Sequence, residues 1–205
     1  DPLRIAAAQW NLGHVLLAAR QPDGAEQVAL RAVEDIAPLT ADQPDAAALH
    51  GALNLVASVA AARRKDWWAA RSRLEGPAAD DARRSGERNV LWTAFGPTNV
   101  LLHQVSIEME AGEANEALHR AAAVSIEISP FLERRFTHLL EVARCHDLRR
   151  EDAAVLLGLL ELEEIAPEDL SNSPLAHQIM RQLVRRARGR YARAAGDLAE
   201  RNGVV

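Results

Sequence analysis

Leu12-Gly13-His14-Val15-Leu16-Leu17-Ala18-Ala19-Arg20-Gln21-Pro22-Asp23-Gly24-Ala25, followed by Ala29, Ala32 and Pro38, decides the fold. Leu3, Trp10, Val15 and Leu17 recur at helical spacing and predict a first helix ending near Arg20. Gln21-Pro22-Asp23-Gly24 reads as a turn, because Pro, Asp and Gly supply the dihedrals of a chain reversal. A second helix is expected from Ala25 to Ala37 and stops at Pro38, which cannot continue the hydrogen-bond ladder. Two helices joined by a tight turn make a helical hairpin.

Outward from there the unit returns. The sequence predicts hairpins over about 3–38, 45–76, 97–128 and 131–166, and a terminal helix over about 174–201, bent at Gly189 or Gly196. Asp66 is placed to cap the helix that carries Trp67, Trp68 and Leu74. One of the adjacent tryptophans should reach the core and the other should not, since neighbours on a helix point about 100° apart. Gly112 ends a helix as a left-handed cap, and Ser129-Pro130 and Ser173-Pro174 read as helix starts. Residues 76–90 are polar and aperiodic and are expected to form a long or mobile loop. Trp92 and Phe95 are expected to anchor the entrance to the third hairpin. Ala25 precedes Pro38 by 13 residues, and the same offset separates Ala117 from Pro130 and Ala154 from Pro167. A repeated offset in the second helix of successive hairpins points to stacked helix pairs, hence an all-α chain in a single domain over 1–205.

Composition agrees and sets limits. Apolar residues make up 48% of the chain and charged ones 26%, ordinary for a globular protein, while aromatics are only 4% and Ala abounds. Small side chains let helices approach closely, and Ala is the strongest helix former. A formal net charge of −5 argues against general nucleic-acid binding. The single cysteine, Cys145, excludes an internal disulfide and fits a reducing cytosol. No uninterrupted apolar stretch reaches the ~20 residues of a membrane span, and the expected location is cytoplasmic. Asp1-Pro2-Leu3-Arg4 leads straight into a helical pattern and reads as a cut from a longer protein.

Leu12-Gly13, Leu16, Ala25, Ala29 and Ala32, and again Ser106, Met109, Gly112, Ala117, Ala121 and Pro130, resemble the tetratricopeptide repeat. Pro38 falls one residue late, and the second hairpin is degenerate. The resemblance implies a right-handed superhelical solenoid of about four atypical repeats with a capping helix. Phe95-Gly96-Pro97-Thr98-Asn99-Val100, with His103, Val105, the Glu113–Leu118 turn, Ser173-Pro174-Leu175 and the arginine-rich last helix, is similar to the carboxy-terminal region of actinobacterial regulators. Those proteins carry an amino-terminal helix-turn-helix domain of the xenobiotic-response-element type. The resemblance implies a ligand- or peptide-sensing or oligomerisation domain of a homodimeric transcription regulator, touching DNA only through a domain absent from this chain. The rival is a constitutive protein-interaction scaffold with no small-molecule effector.

Stacked hairpins expose a concave surface lined by their first helices, the usual place for peptide or small-molecule capture. The spacing-consistent inward set is Trp10, His14, Asn54, Asn99, His103 and Arg144. Asn and His suit an extended peptide because they offer donors and acceptors together. The structural alternative places Asn99 at a helix end beside Pro97 and His14 on an exposed face. Asn99 with His103, one turn apart, is the pair favoured for binding.

Other constellations are weaker. His138, Cys145 and His146 lack the four-ligand spacing of a structural zinc site. Glu116 and His119 form a single Glu-x-x-His, whereas bundle di-metal sites need two with further carboxylates. No metal or cofactor is expected. Arg181, Arg185, Arg186, Arg188, Arg190 and Arg193 make either a phosphate-binding surface or a solvated face, ion-paired where Glu161, Glu163 and Glu164 are near, and the solvated or ion-paired face is expected. Neither a nucleophile elbow nor a phosphate-cradling glycine loop occurs, so no enzyme is expected.

Overall fold

The computed structural model describes residues 1–124, 126 and 131–204. The expected helix boundary at Ile128 and the Ser129-Pro130 start lie outside the described residues. Every regular element among those described is helical, with one isolated bridge between Arg88 and Phe95. The chain divides into two compact units, Asp1–Ala111 and Gly112–Val205, where a single domain was expected. The first unit holds α1 (Pro2–Ala18), α2 (Pro22–Ile36), α3 (Pro44–Arg63), α4 (Trp67–Arg73), α5 (Ala79–Ser85) and α6 (Pro97–Glu110). The second holds α7 (Ala114–Ala121), α8 (Leu132–Leu148), α9 (Asp152–Ile165), α10 (Pro167–Asn172), α11 (Pro174–Arg186) and α12 (Arg190–Arg201).

Four corners share one backbone conformation. Arg20, Lys65, Gly112 and Arg150 follow the ends of α1, α3, α6 and α8, all with left-handed φ of 58° to 86°. In the three non-glycine corners the next N–H reaches back to close the helix. Gln21 donates to the Leu16 carbonyl at 2.9 Å, Asp66 to Ala61 at 3.0 Å and Glu151 to His146 at 3.0 Å. A second bond, from the left-handed residue itself, joins Arg20 to Leu17, Lys65 to Ala62 and Arg150 to Asp147. The doubled closure satisfies carbonyls that a helix end otherwise leaves open. A basic side chain there adds a favourable charge at the negative helix end.

Each corner also sets the burial register. At equal distance after the four left-handed residues stand Ala25, Ala70, Ala117 and Val155, all fully buried. At equal distance before them stand Gly13, Ser58, Val105 and Ala143, also buried. The offset from proline therefore misplaced the fourth hairpin by one residue, since Ala154 is only half-buried and Val155 takes the inward place. The prolines are not equivalent. Pro38 lies within a short 3-10 turn, Ala37–Leu39, whereas Pro167 is the first residue of α10. Pro22 likewise opens α2 rather than forming a turn, because the first helical position needs no N–H.

In the first unit α3 is apolar on all sides and buried on all sides, as such a helix must be in water. It meets α1 and α2 on one side and α4, α5 and α6 on others. Its composition and length match those of a membrane span, with mean hydropathy 1.3, but 83% of that window is buried by neighbouring helices. Close approach depends on two glycines. A Cβ at Gly13 would lie 2.7 Å from Val56, and one at Gly51 would lie 2.1 Å from the Phe95 ring.

The expected loop over 76–90 is mostly helix. Chain leaving α4 takes a wide turn through Leu74–Ala78, which accommodates Gly76-Pro77, and continues as α5 to Ser85. Widening the turn removes the clash a proline ring makes with the preceding carbonyl. Ala78 and Ala82 then pack on α3, so tertiary burial overrides a locally polar sequence. The remaining segment is strained, with Leu91, Trp92 and Ala94 at φ of 48°, 70° and 45°. Phe95 anchors it in the core, but Trp92 does not, being 87% exposed. Trp67 packs against the core while Trp68 faces outward.

In the second unit Leu159, Leu162, Leu170, Met180, Leu183 and Leu198 form the centre. Ser173 caps α11 by accepting from the Ala176 N–H at 3.3 Å. The expected single terminal helix breaks at Ala187–Gly189, where Gly189 takes φ of 58°, and α12 folds back against α9 and α11.

Substituting Gly51 by Ala should lower unfolding free energy by about 1–3 kcal/mol, the usual cost of overpacking a core. Gly24→Ala, where the new Cβ would meet Leu16 at an ordinary 3.6 Å, should instead be neutral or stabilise by up to ~1 kcal/mol. Urea titrations of both variants check the contrast.

Candidate functional site

The six residues picked out by spacing have different surroundings. Trp10, partly buried against α3, stacks edge-to-face on His14, with ring centroids 4.4 Å apart and planes at 72°. Asn99 is buried in the first turn of α6, and its carbonyl lies 2.9 Å from Nδ1 of His103, one turn on. Asn54 sits inside the core at 3% exposure and donates to the His50 carbonyl at 3.0 Å. Arg144 belongs to α8 in the second unit, where one nitrogen contacts both Glu141 oxygens at 2.9 Å. The structure thus pairs Trp10 with His14 and Asn99 with His103. Asn54 lies in the interior rather than on an open groove wall, because α5 covers α3.

That cover carries a polar contact absent from the sequence reading. Asp81 of α5, 1% exposed at its side chain, approaches His50 of α3 with Oδ2 at 2.5 Å from Nδ1. Arg84 stands 3.4 Å from the other carboxylate oxygen. The Asn54 amide nitrogen lies 3.4 Å from the same His50 Nδ1. His50 and Asp81 are 31 residues apart, and Asp81 falls in a stretch that looked like loop, so no local signal joined them. A carboxylate withdrawn from water needs such a partner, and the pair clamps α5 to α3.

Further charged contacts tie helices together. Glu108, buried on α6, receives two bonds from the Arg71 fork at 2.9 and 2.6 Å. Glu26 on α2 pairs with Arg64 and with Arg73, the latter at 2.8 Å. Burial works to raise the Glu26 pKa, but the two guanidiniums outweigh it and hold the carboxyl below its ordinary 4.5. At Glu163 the Arg201 fork does the same. Burial, reinforced by the Glu141 carboxylate, pushes the Cys145 thiol up to about 12, so it is not a thiolate nucleophile at neutral pH. His146 turns its Nδ1 to Glu151 at 2.6 Å. Among the described residues no three His, Cys, Asp or Glu side chains converge as metal ligands would.

The exposed face of α1 is the other notable feature. Ile5, Ala8, Leu12, Val15 and Ala19 alternate in steps of three and four and are all exposed, Ile5 at 60% and Val15 at 62%. The opposite face, with Ala6, Ala7 and Gly13, is buried. Exposed apolar stripes of this kind are common at protein-interaction surfaces.

Asp81→Ala should cost about 3 kcal/mol, the usual loss when one partner of a buried pair is removed. Trypsin should then cut more readily at Arg83 and Arg84, followed by mass spectrometry. Glu26 adds stability at pH above its ordinary 4.5, which is lost as pH falls through its lowered folded value. Glu26→Gln should therefore flatten the acid limb of melting temperature against pH and leave its neutral-to-basic shape unchanged.

Comparison of the chain with protein-family models, with curated proteins and with solved structures gives no match.

Proposed function

We propose that this chain is the non-catalytic oligomerisation and effector-responsive domain of a bacterial, cytoplasmic transcription regulator, with its α1 seam pairing two copies. The exposed three–four apolar stripe on α1 carries the reading, and the resemblance of Phe95–Val100 and the terminal helix to regulator carboxy-terminal domains supports it. In an antiparallel pairing about Leu12, Leu12 meets its own copy, Ile5 lies opposite Ala19 of the second copy, and Ala8 lies opposite Leu16. Small residues then face large ones on either side of the central leucine pair, which suits close packing. A single-helix seam is smaller than the ~800 Å² per partner of a stable interface. Association is accordingly concentration-dependent, a useful property where an effector shifts the monomer–dimer balance and with it the spacing of attached DNA-binding domains.

An effector has less access to α3 than a simple groove would allow. Peptide or small-molecule contact falls to the Trp10–His14 face and to His103. A second reading, a scaffold with no effector, draws support from one observation, the α5 cover over α3. Thermal unfolding with peptide and metabolite fractions separates the two, since folded-state binding raises melting temperature. An upward shift lost in His103→Ala supports the effector, and no shift with any fraction supports the scaffold.

Sedimentation equilibrium should show self-association across micromolar concentrations. A double Leu12→Glu, Val15→Glu variant should be monomeric with unchanged helical circular dichroism. A chain monomeric at every concentration, or a variant that associates as well as the parent, would overturn the pairing.

A further inference from the structure

A depression of about 530 Å³ in the second unit is lined by Arg150, Gln182, Arg185, Arg186 and Arg188. Four of its five side chains are guanidinium-bearing. Arg186 is structural. Its Nε contacts Asp152 at 2.5 Å and its Nη2 contacts Asp147 at 2.7 Å, so it pins the end of α11 to the α8–α9 corner. That pinning brings Arg185 and the Ala187–Gly189 break beside Arg150, the left-handed residue of the same corner.

A solvated or ion-paired face was the expectation for this arginine run, and the structure fits it in part, since Arg181, Arg185, Arg188 and Arg193 are exposed and Arg186 is ion-paired, though with Asp147 and Asp152. Glu163 holds Arg201 at 2.7 Å and accepts from Asn202 at 3.1 Å. Glu151, next to Arg150, is engaged by His146 and Arg149. Arg150, Arg185 and Arg188 have no carboxylate partner among the described residues. Capping accounts for part of Arg188, whose Nη1 donates to the Ala187 carbonyl at 3.1 Å. It leaves Arg150 and Arg185 on an exposed, strongly basic rim, where a multivalent anion would relieve repulsion between like charges.

We propose that this depression binds a compact phosphate-bearing anion of the pyrophosphate or nucleoside-polyphosphate class. Guanidinium forks match phosphate oxygens two at a time, and Arg keeps its charge at any physiological pH. Gln182 adds an amide that donates to an oxygen at the rim. Among the described residues no aromatic side chain lines the depression, which favours the phosphate over a base as the group it reads. The clustering of arginines at one depression and the net charge of −5 on the chain favour a small anion over a duplex backbone.

The test is titration of the whole chain with pyrophosphate at low salt, read by calorimetry and by melting temperature, with sulfate and a duplex oligonucleotide as competing anions. Saturable binding is expected, about tenfold weaker in Arg150→Gly and in Arg185→Ala and unchanged in Arg193→Ala. Arg150→Gly is informative because glycine suits the left-handed backbone, so the fold is kept or strengthened while the guanidinium is removed. No saturable pyrophosphate binding, or equal binding by all variants, would overturn the site. Tighter binding of the duplex than of pyrophosphate, lost in the same variants, would overturn the ligand class and make the patch a nucleic-acid face.

Discussion

Burial of α3 on every side is the constraint on which the first unit depends. Fifteen of its twenty residues are buried, mostly Ala, Leu and Val, and no face of it can be left to water. At about 25 cal/mol per Å² of apolar surface, an uncovered helix of this kind forfeits most of the drive to fold. Each neighbour can be understood as cover. α1 and α2 close one side, and the unusual wide turn at Gly76-Pro77 delivers α5 to another. Alanine sets the distance. With side chains this short, backbones come close enough that Gly13 and Gly51 are required where Val56 and Phe95 cross.

Polar groups taken inside by this packing are answered in kind. Ser58, fully buried on α3, donates to the Ala70 carbonyl at 2.7 Å across the hairpin. Asp81 finds His50, Glu108 finds Arg71, and Glu26 finds Arg64 and Arg73. Such pairs contribute less to net stability than to which helix sits against which, because a mispaired buried charge is costly. Glu87 does related work at the surface. Its carboxylate accepts from the Thr98 N–H at 2.7 Å and so caps the start of α6, where Gly96 leaves room for it.

The functional features lie where the packing ends. α1 is buried along one face and carries an exposed apolar stripe along the other, which no neighbouring helix of the first unit covers among the described residues. In the second unit the corner after α8 holds a left-handed arginine, and the break after α11 brings further guanidiniums beside it. Both features come from elements that the fold itself needs, a helix that must cover α3 and a corner that must close α8. Their outward residues are therefore held by rigid backbone.

Helical periodicity and the abundance of alanine were local properties, and the sequence alone determined from them an all-helical chain. The corner at Gly112, the cap at Ser173 and the division of roles between Trp67 and Trp68 were legible for the same reason, since each depends on neighbours within a turn or two. What lies far apart in the chain was not legible. Asp81 became a buried partner of His50 only because α5 folds over α3, and Asn54 left the expected groove wall for the same reason. The acidic stretch near Glu163 sits close in sequence to the arginine run, yet tertiary packing gives Glu163 to Arg201 and leaves Arg150, Arg185 and Arg188 gathered without it. Secondary structure follows from short-range sterics and hydrogen bonds, whereas the pairing of charges and the exposure of a face depend on which distant surfaces burial brings together, and only the tertiary structure decides that.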